Sequence, residues 1–301
     1  MAATDAPRER GAPGDGPIDE SVLRGPAAEL RPFIARYSGY RQAGVAPARH
    51  AGLPSPYLTV IFTLDDPLHV AVHPDPAQPG GDFVTLAGGL HCVPAQITHN
   101  GYQSGIQLAL SPLGARALLG IPAGELAGID VEAGEVCGQL ATEIHERVRA
   151  AASWPDRFAV LDAVLSDRLA AYQDAKQEVS SEVRIAWQRL LSSGGTIGVS
   201  ALAAETGWSE RHLRNRFAAE IGLTPKAAAR VVRFDRARRL LQRRAASGLS
   251  LDLAALAAHC GYYDQAHLDL EFRSLAGAPP TTWLAREFRN LQANAVAAAG
   301  G

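Results

Sequence analysis

The feature that most constrains this chain is an internal repeat. "LAAETGWSERHLRNRFAAEIGLTP", Leu202 to Pro225, aligns with "LAAHCGYYDQAHLDLEFRSLAGAPP", Leu256 to Pro280, once one extra residue is allowed in the second turn. Leu202, Gly207 and Trp208 correspond to Leu256, Gly261 and Tyr262 at an offset of 54. His212, Leu213, Phe217, Gly222 and Pro225 correspond to His267, Leu268, Phe272, Gly277 and Pro280 at 55. Agreement at so many positions means two copies of one supersecondary unit. Each copy has the parts of a helix-turn-helix. Ser200 is placed to cap a short helix ending at Gly207, whose missing Cβ suits the left-handed backbone of a sharp turn, and Ser209 is placed to cap the next helix. Asp252, Gly261 and Asp264 take the comparable places in the second copy. Leu213 with Phe217, and Leu268 with Phe272, sit four residues apart and pin the second helix of each unit to its core.

Between the units runs "PKAAARVVRFDRARRLLQRRAA", Pro225 to Ala246, an Arg-rich helical pattern without a breaker. At about 1.5 Å per residue it makes a rod of about 33 Å. One turn of B-DNA is roughly 34 to 36 Å, so the rod would hold the two second helices in successive major grooves on one face of a duplex. Those helices differ in sequence, so an asymmetric site is expected. Charge points the same way: residues 181–290 hold 16 Lys and Arg against 10 Asp and Glu, while residues 1–180 hold 13 against 21. A basic C-terminal half beside an acidic N-terminal half suggests nucleic acid for the one and another task for the other.

A chain of 301 residues is about twice the usual domain size, so two domains are expected. Residues 1–17 read as a disordered tail. Residues 18–174 read as an α+β sensor-like domain, antiparallel strands and then helices. "YLTVIFTL" (Tyr57 to Leu64), "LHVAV" (Leu68 to Val72), "DFVTLAGGL" (Asp82 to Leu90) and "GIQLALSP" (Gly105 to Pro112) are its β-prone runs. "LGARALLG", "EVCGQLATEIHERVRAA" and "WPDRFAVLDAVLSDRLAAYQDA" recur at helical spacing. A linker at 175–181 leads to an all-α domain at 182–290, two helix-turn-helix units joined by a long linker helix, and 291–301 read as a second tail. No run of 18 apolar residues and no signal-like segment is present, which predicts a cytoplasmic protein without a membrane partner. Cys92, Cys137 and Cys260 lie far apart without CxxC spacing, so neither a disulfide framework nor a cysteine zinc site is indicated.

"GWSERHLRNRFAAEIGLTPKAAA" and "GYYDQAHLDLEFRSLAGAPPTTWL" resemble the two signatures of the AraC/XylS family of bacterial transcription regulators, over about Val183 to Leu284. The resemblance implies a seven-helix DNA-binding domain with an attached domain for effector sensing or dimerisation. With about 100° per residue and Leu213 at zero, Phe217 and Glu220 mark a buried side near 20°, and Arg211 and Asn215 stand opposite. Arg214 is on the flank, and Arg216 is expected nearer the protein. Arg donates bidentately to guanine and Asn to adenine, so Arg211, Arg214 and Asn215 are the best base-reading set. The matching positions contact bases in family members. In the second unit the candidates are Gln265 for adenine, Asp269 for a cytosine amino group, and Leu270 or Ala266 for a thymine methyl. Many relatives carry Arg where this chain has Leu270, so the second unit is expected to contribute less. Ser200, Ser209, Thr224, Lys226, Arg230 and Arg273 are the expected phosphate contacts. Trp208, Tyr262 and His212 are expected to pack in the turns.

No residue of the N-terminal half announces a ligand, and a small-molecule effector there is the first expectation; the alternative is a domain that only dimerises. His50, His69, His73, His91 and His99 with Cys92 invite a metal reading, but their spacings fit no closed site, so no metal and no cofactor is assigned. Cys92 and Cys137 lack the basic neighbours of a thiol sensor. An enzyme that borrows such a DNA-binding domain, for example an alkylation-repair protein, would need a four-cysteine zinc site that three scattered cysteines cannot build. No catalytic residues are assigned. The expected partners are double-stranded DNA, RNA polymerase, an effector and a second copy of the chain.

Overall fold

The β-prone runs become strands by pairing with segments whose own sequences are far less telling. The computed structural model describes residues 16–174 and 179–287. Ten strands run through the N-terminal half: β1 (Ile18–Arg24), β2 (Ile34–Ala43), β3 (Ala48–Gly52), β4 (Leu58–Thr63), β5 (Leu68–Val72), β6 (Gly81–Phe83), β7 (Thr85–Gly88), β8 (Ala95–His99), β9 (Gln103–Leu110) and β10 (Asp130–Glu132). They form two antiparallel sheets, ordered β1-β2-β9-β4-β7-β10 and β3-β8-β5-β6. Alternation along β4 explains the layering. Leu58, Val60 and Phe62 point into a core with Ile106, Leu108 and Leu110 of β9, whereas Ile61 joins Leu68, Val70, Phe83 and Leu86 in a smaller cluster. The first face is covered by α1 (Ala115–Leu119), α2 (Ala133–Cys137), α3 (Gln139–Ala150) and α4 (Trp154–Asp174), which contribute Leu118, Ala133, Ile144, Phe158 and Leu161.

The C-terminal half is helical throughout its described elements: α5 (Ser181–Ser192), α6 (Val199–Thr206), α7 (Glu210–Ile221), α8 (Pro225–Ala246), α9 (Leu253–His259), α10 (Gln265–Ala276) and residues 280–287. Side chains at five N-caps accept a backbone N–H: Ser180 from Val183, Ser209 from His212, Thr224 from Ala227, Asp252 from Ala255 and Asp264 from His267. Gly207, Gly222, Gly261 and Gly277 close the helices or turns with φ between 71° and 94°, a region that costs other residues strain. Ser200 does not cap α6, contrary to expectation. The helix begins earlier, after an extended Gly198 whose carbonyl accepts from Leu202, and this places Ser200 inside the first turn.

The packing does not divide where the sequence does. One core runs from the helix-covered sheet through Ala123 and Leu126 to Trp187, Leu213, Phe217, Ile221 and Ala228. A second gathers Phe234, Ala237 and Leu241 from the other end of α8 with Leu256, Leu268, Phe272, Leu275 and Trp283, and Leu53 and Cys92 of the N-terminal half pack at its edge. The first unit is docked closely. Arg116 donates from Nε and Nη2 to both carboxylate oxygens of Glu220 at 2.8 Å each, and Glu220 is only 8% exposed. Gly124 lies under the last turn of α7, where a Cβ would overlap the carbonyl oxygen of Ala219. Of the expected linker at 175–181, residues 175–178 lie outside the described residues, and Ser180 caps α5 by accepting from Val183. Most of the first expected tail, residues 1–15, and all of the second also lie outside them.

Candidate nucleic-acid interface

Burial orients α7. Leu213 and Phe217 are fully enclosed, so Arg211, Arg214 and Asn215 are left exposed on the helix, with no hydrogen bond or ion pair to another described residue. Arg216, expected nearer the protein, is exposed as well. The N-terminal half meets the last turn of α7, through Arg116 on Glu220 and Gly124 against Ala219. The turns themselves are packed as expected: Trp208 meets His212 edge-on at 4.6 Å between ring centroids, and Tyr262 meets His267 in the same way at 5.3 Å.

In the second unit Gln265, Leu270 and Arg273 are exposed, Leu270 by 62%. Asp269 is only half-exposed, and its Oδ1 is enclosed without a partner among the described residues. Glu271 faces the protein. Its carboxylate accepts from Arg230 Nε at 2.7 and 2.9 Å, while Arg230 Nη2 donates to the Ser274 hydroxyl at 2.8 Å. This engages Arg230 between α8 and α10 and neutralises its charge, so it offers less to a phosphate than its sequence position suggests. Ser200, Ser209, Thr224 and Lys226 are exposed. Sequence reasoning passed over Tyr263. It is the extra residue of the second turn and is 93% exposed.

Away from α7 and α10, a cavity of about 480 Å³ opens between the N-terminal sheets and the second unit's end of α8. Arg36, His50 and Gln107 line one side, and Arg238, Gln242 and Glu287 the other. Asp235, 5% exposed, holds Arg238 at 2.6 Å and Arg239 at 2.7 Å. Burial, and then the charge of Arg239, lower the pKa of Arg36; burial raises that of Glu287. Burial, helped by His99, lowers His50 to about 4, so its ring is neutral at pH 7. The other histidines have their own engagements: His69 with Asp82 and His73 with Asp130, each at 2.7 Å, and His91 with the Val93 carbonyl at 2.6 Å. Among the described residues no three His, Cys, Asp or Glu side chains stand together as a metal site. No helix there is long and apolar enough to cross a membrane. Burial pushes the thiols of Cys92, Cys137 and Cys260 up.

Residues 202–286 match a family model described as a helix-turn-helix domain, and the match spans both units. No curated protein matches the chain. Among solved structures it is similar to the C-terminal domain of AraT, a response regulator from Geobacillus stearothermophilus, at 20% identity over 36% of this chain and 87% of that one, with a TM-score of 0.33. It is also similar to ToxT from Vibrio cholerae, at 11% identity over 82% and 97% of the two chains, with a TM-score of 0.48. The unsaturated fatty acid bound form of wild-type ToxT gives 8% identity over 90% and 96%, with a TM-score of 0.47. The family match, with the doubled caps and turns that build the two units, makes residues 202–286 of this chain a helix-turn-helix domain.

Proposed function

We propose that the protein is a sequence-specific transcription regulator whose two units read successive major grooves of one asymmetric site, under the control of a small molecule held in the N-terminal half. One observation carries the DNA reading. Arg211, Arg214 and Asn215 are exposed and unpaired on a helix whose opposite face is wholly enclosed, so their donors are free for base edges. Gln265 supplies a further donor in the second unit, and Ser200, Ser209, Thr224, Lys226 and Arg273 hold the backbone. Selection of bound sequences from random duplexes tests this. Arg211→Ala is expected to cost about 1 to 3 kcal/mol at the selected site and to relax one base position. A uniform loss across all sequences would make Arg211 a phosphate contact instead.

The cavity beside α8 supports effector control. Arg238 is held by Asp235, whereas Arg36 lines the cavity with no ion pair among the described residues, which suits a ligand with an anionic group. Thermal melting of the full chain with carboxylate- and phosphate-bearing probes, against their neutral analogues, checks this. A ligand at 100 times its Kd stabilises by about 2.7 kcal/mol, and an inert, merely dimerising domain would not respond. RNA polymerase and a second copy of the chain remain partners in this reading.

A further inference from the structure

We propose that the second unit selects thymine by its C5 methyl group, through an apolar stripe formed by Ala266 and Leu270, with Tyr263 extending the stripe past the start of the helix. The inference rests on the reading of the chain as a DNA-binding regulator with two reading helices. At the offset of 55, Ala266, Asp269 and Leu270 stand where the first unit has Arg211, Arg214 and Asn215. Alanine and leucine have no side-chain donor, and a carboxylate only accepts. Asp269 is half-buried with one oxygen enclosed, whereas Ala266 is exposed, Leu270 is 62% exposed and Tyr263 is 93% exposed. Ala266 and Leu270 are four residues apart and therefore share a face, and Arg273, exposed on the next turn, continues it.

The major groove holds one apolar group that distinguishes a base, the methyl of thymine. A helix that has exchanged donors for exposed carbon at Ala266 and Leu270 presents at those positions the complement of that group, beside the donor of Gln265. The occupant is DNA rather than a protein for reasons of size and position. A stable protein interface buries about 800 Å² on each side, far more than two side chains and an alanine offer. In Ala266 and Leu270 the stripe also occupies the positions of the reading residues Arg211 and Asn215 in the sister unit. Tyr263 fits the same picture: an added residue, placed in solvent, immediately before the cap that starts the helix.

The test uses the full chain and a duplex selected by it from a random pool. Each thymine is replaced in turn by deoxyuridine, which removes only the methyl, and affinity is measured by fluorescence anisotropy at fixed salt. At one or more thymines the replacement is expected to weaken binding about fourfold, the worth of one buried methyl group. Leu270→Ala is expected to abolish that penalty while leaving the salt dependence unchanged, because no phosphate contact is lost. Leu270 is exposed, so the variant should melt like the parent. The proposal is overturned if no thymine shows the penalty, if Leu270→Ala retains it, or if Leu270→Ala changes the oligomeric state instead. Failure to select any sequence would sink the regulator reading itself, a separate result.

Discussion

The first and second units come from one repeat but differ in what holds them and in what they show to solvent. Where the first has Glu220, reaching out to Arg116, the second has Leu275, fully enclosed in its own core. Where the first shows Arg211, Arg214 and Asn215, the second shows Ala266, a half-buried Asp269 and Leu270. The first is thus fastened to the N-terminal half by a bidentate ion pair and a continuous apolar core. The second is fastened mainly through α8, with Leu53 and Cys92 at its edge. Repetition of sequence fixes a local shape, while single substitutions at the outer and docking positions decide what that shape is attached to.

Core truncations should separate the two most strongly. Phe217→Ala and Phe272→Ala are each expected to cost about 3 to 5 kcal/mol. Hydrogen exchange should show the first lowering protection across the N-terminal half and the second lowering it only around α9 and α10. Equal loss throughout would erase the distinction. A smaller effect is expected from Glu220→Ala, about 2 to 3 kcal/mol, because it leaves the Arg116 guanidinium without its carboxylate. A double-mutant cycle with Arg116→Ala measures the coupling, and a value near zero would mean that the apolar contacts alone dock the first unit.

Acid should act on the other attachment. His50, in the cavity wall facing α8, titrates near 4 in the folded chain against an ordinary 6.5. Its depressed pKa contributes stability that is present above 6.5 and is lost as pH falls toward 4. Denaturant midpoints followed across that window should fall, and His50→Gln should reduce the fall. Smallest of all, Asp269→Ala is expected to leave base preference unchanged, since Oδ1 is enclosed. A preference for cytosine that disappears from the selected sites in this variant would restore Asp269 as a reading residue.

The helical domain was far more legible in the sequence than the sheets. The bounds of α8 coincide with the expected Pro225 to Ala246, because caps and breakers are local signals. β5 likewise coincides with Leu68 to Val72. By contrast β1, β2, β3, β8 and β10 were not anticipated. β2 carries Arg36, Gly39 and Arg41, and its place depends on pairing with Ser21 and Gln107, residues distant in sequence. The run from Asp82 to Leu90 splits at Val84, where β6 and β7 join different sheets. At the candidate interface, helical periodicity sorted Arg211 and Asn215 from Leu213. It gave no hint of the Arg116–Glu220 pair, whose partners are 104 residues apart. Tyr263 did leave a signal, the one-residue insertion in the repeat, which the alignment treated only as a gap.

That α8 belongs to both cores bears on how the chain can be made and dissected. During synthesis the N-terminal half is complete before Phe217 and Ile221 exist, so Ala123 and Leu126 wait with their apolar surface uncovered, a moment of exposure to aggregation. A fragment ending near residue 174 would keep that surface bare for good. One ending after α8 would cover it but strand Phe234 and Leu241 without Leu268 and Phe272. The sequence boundary between these two cores, after Ala229 and before Phe234, falls inside α8, so a cut that parts them must break the helix both of them use.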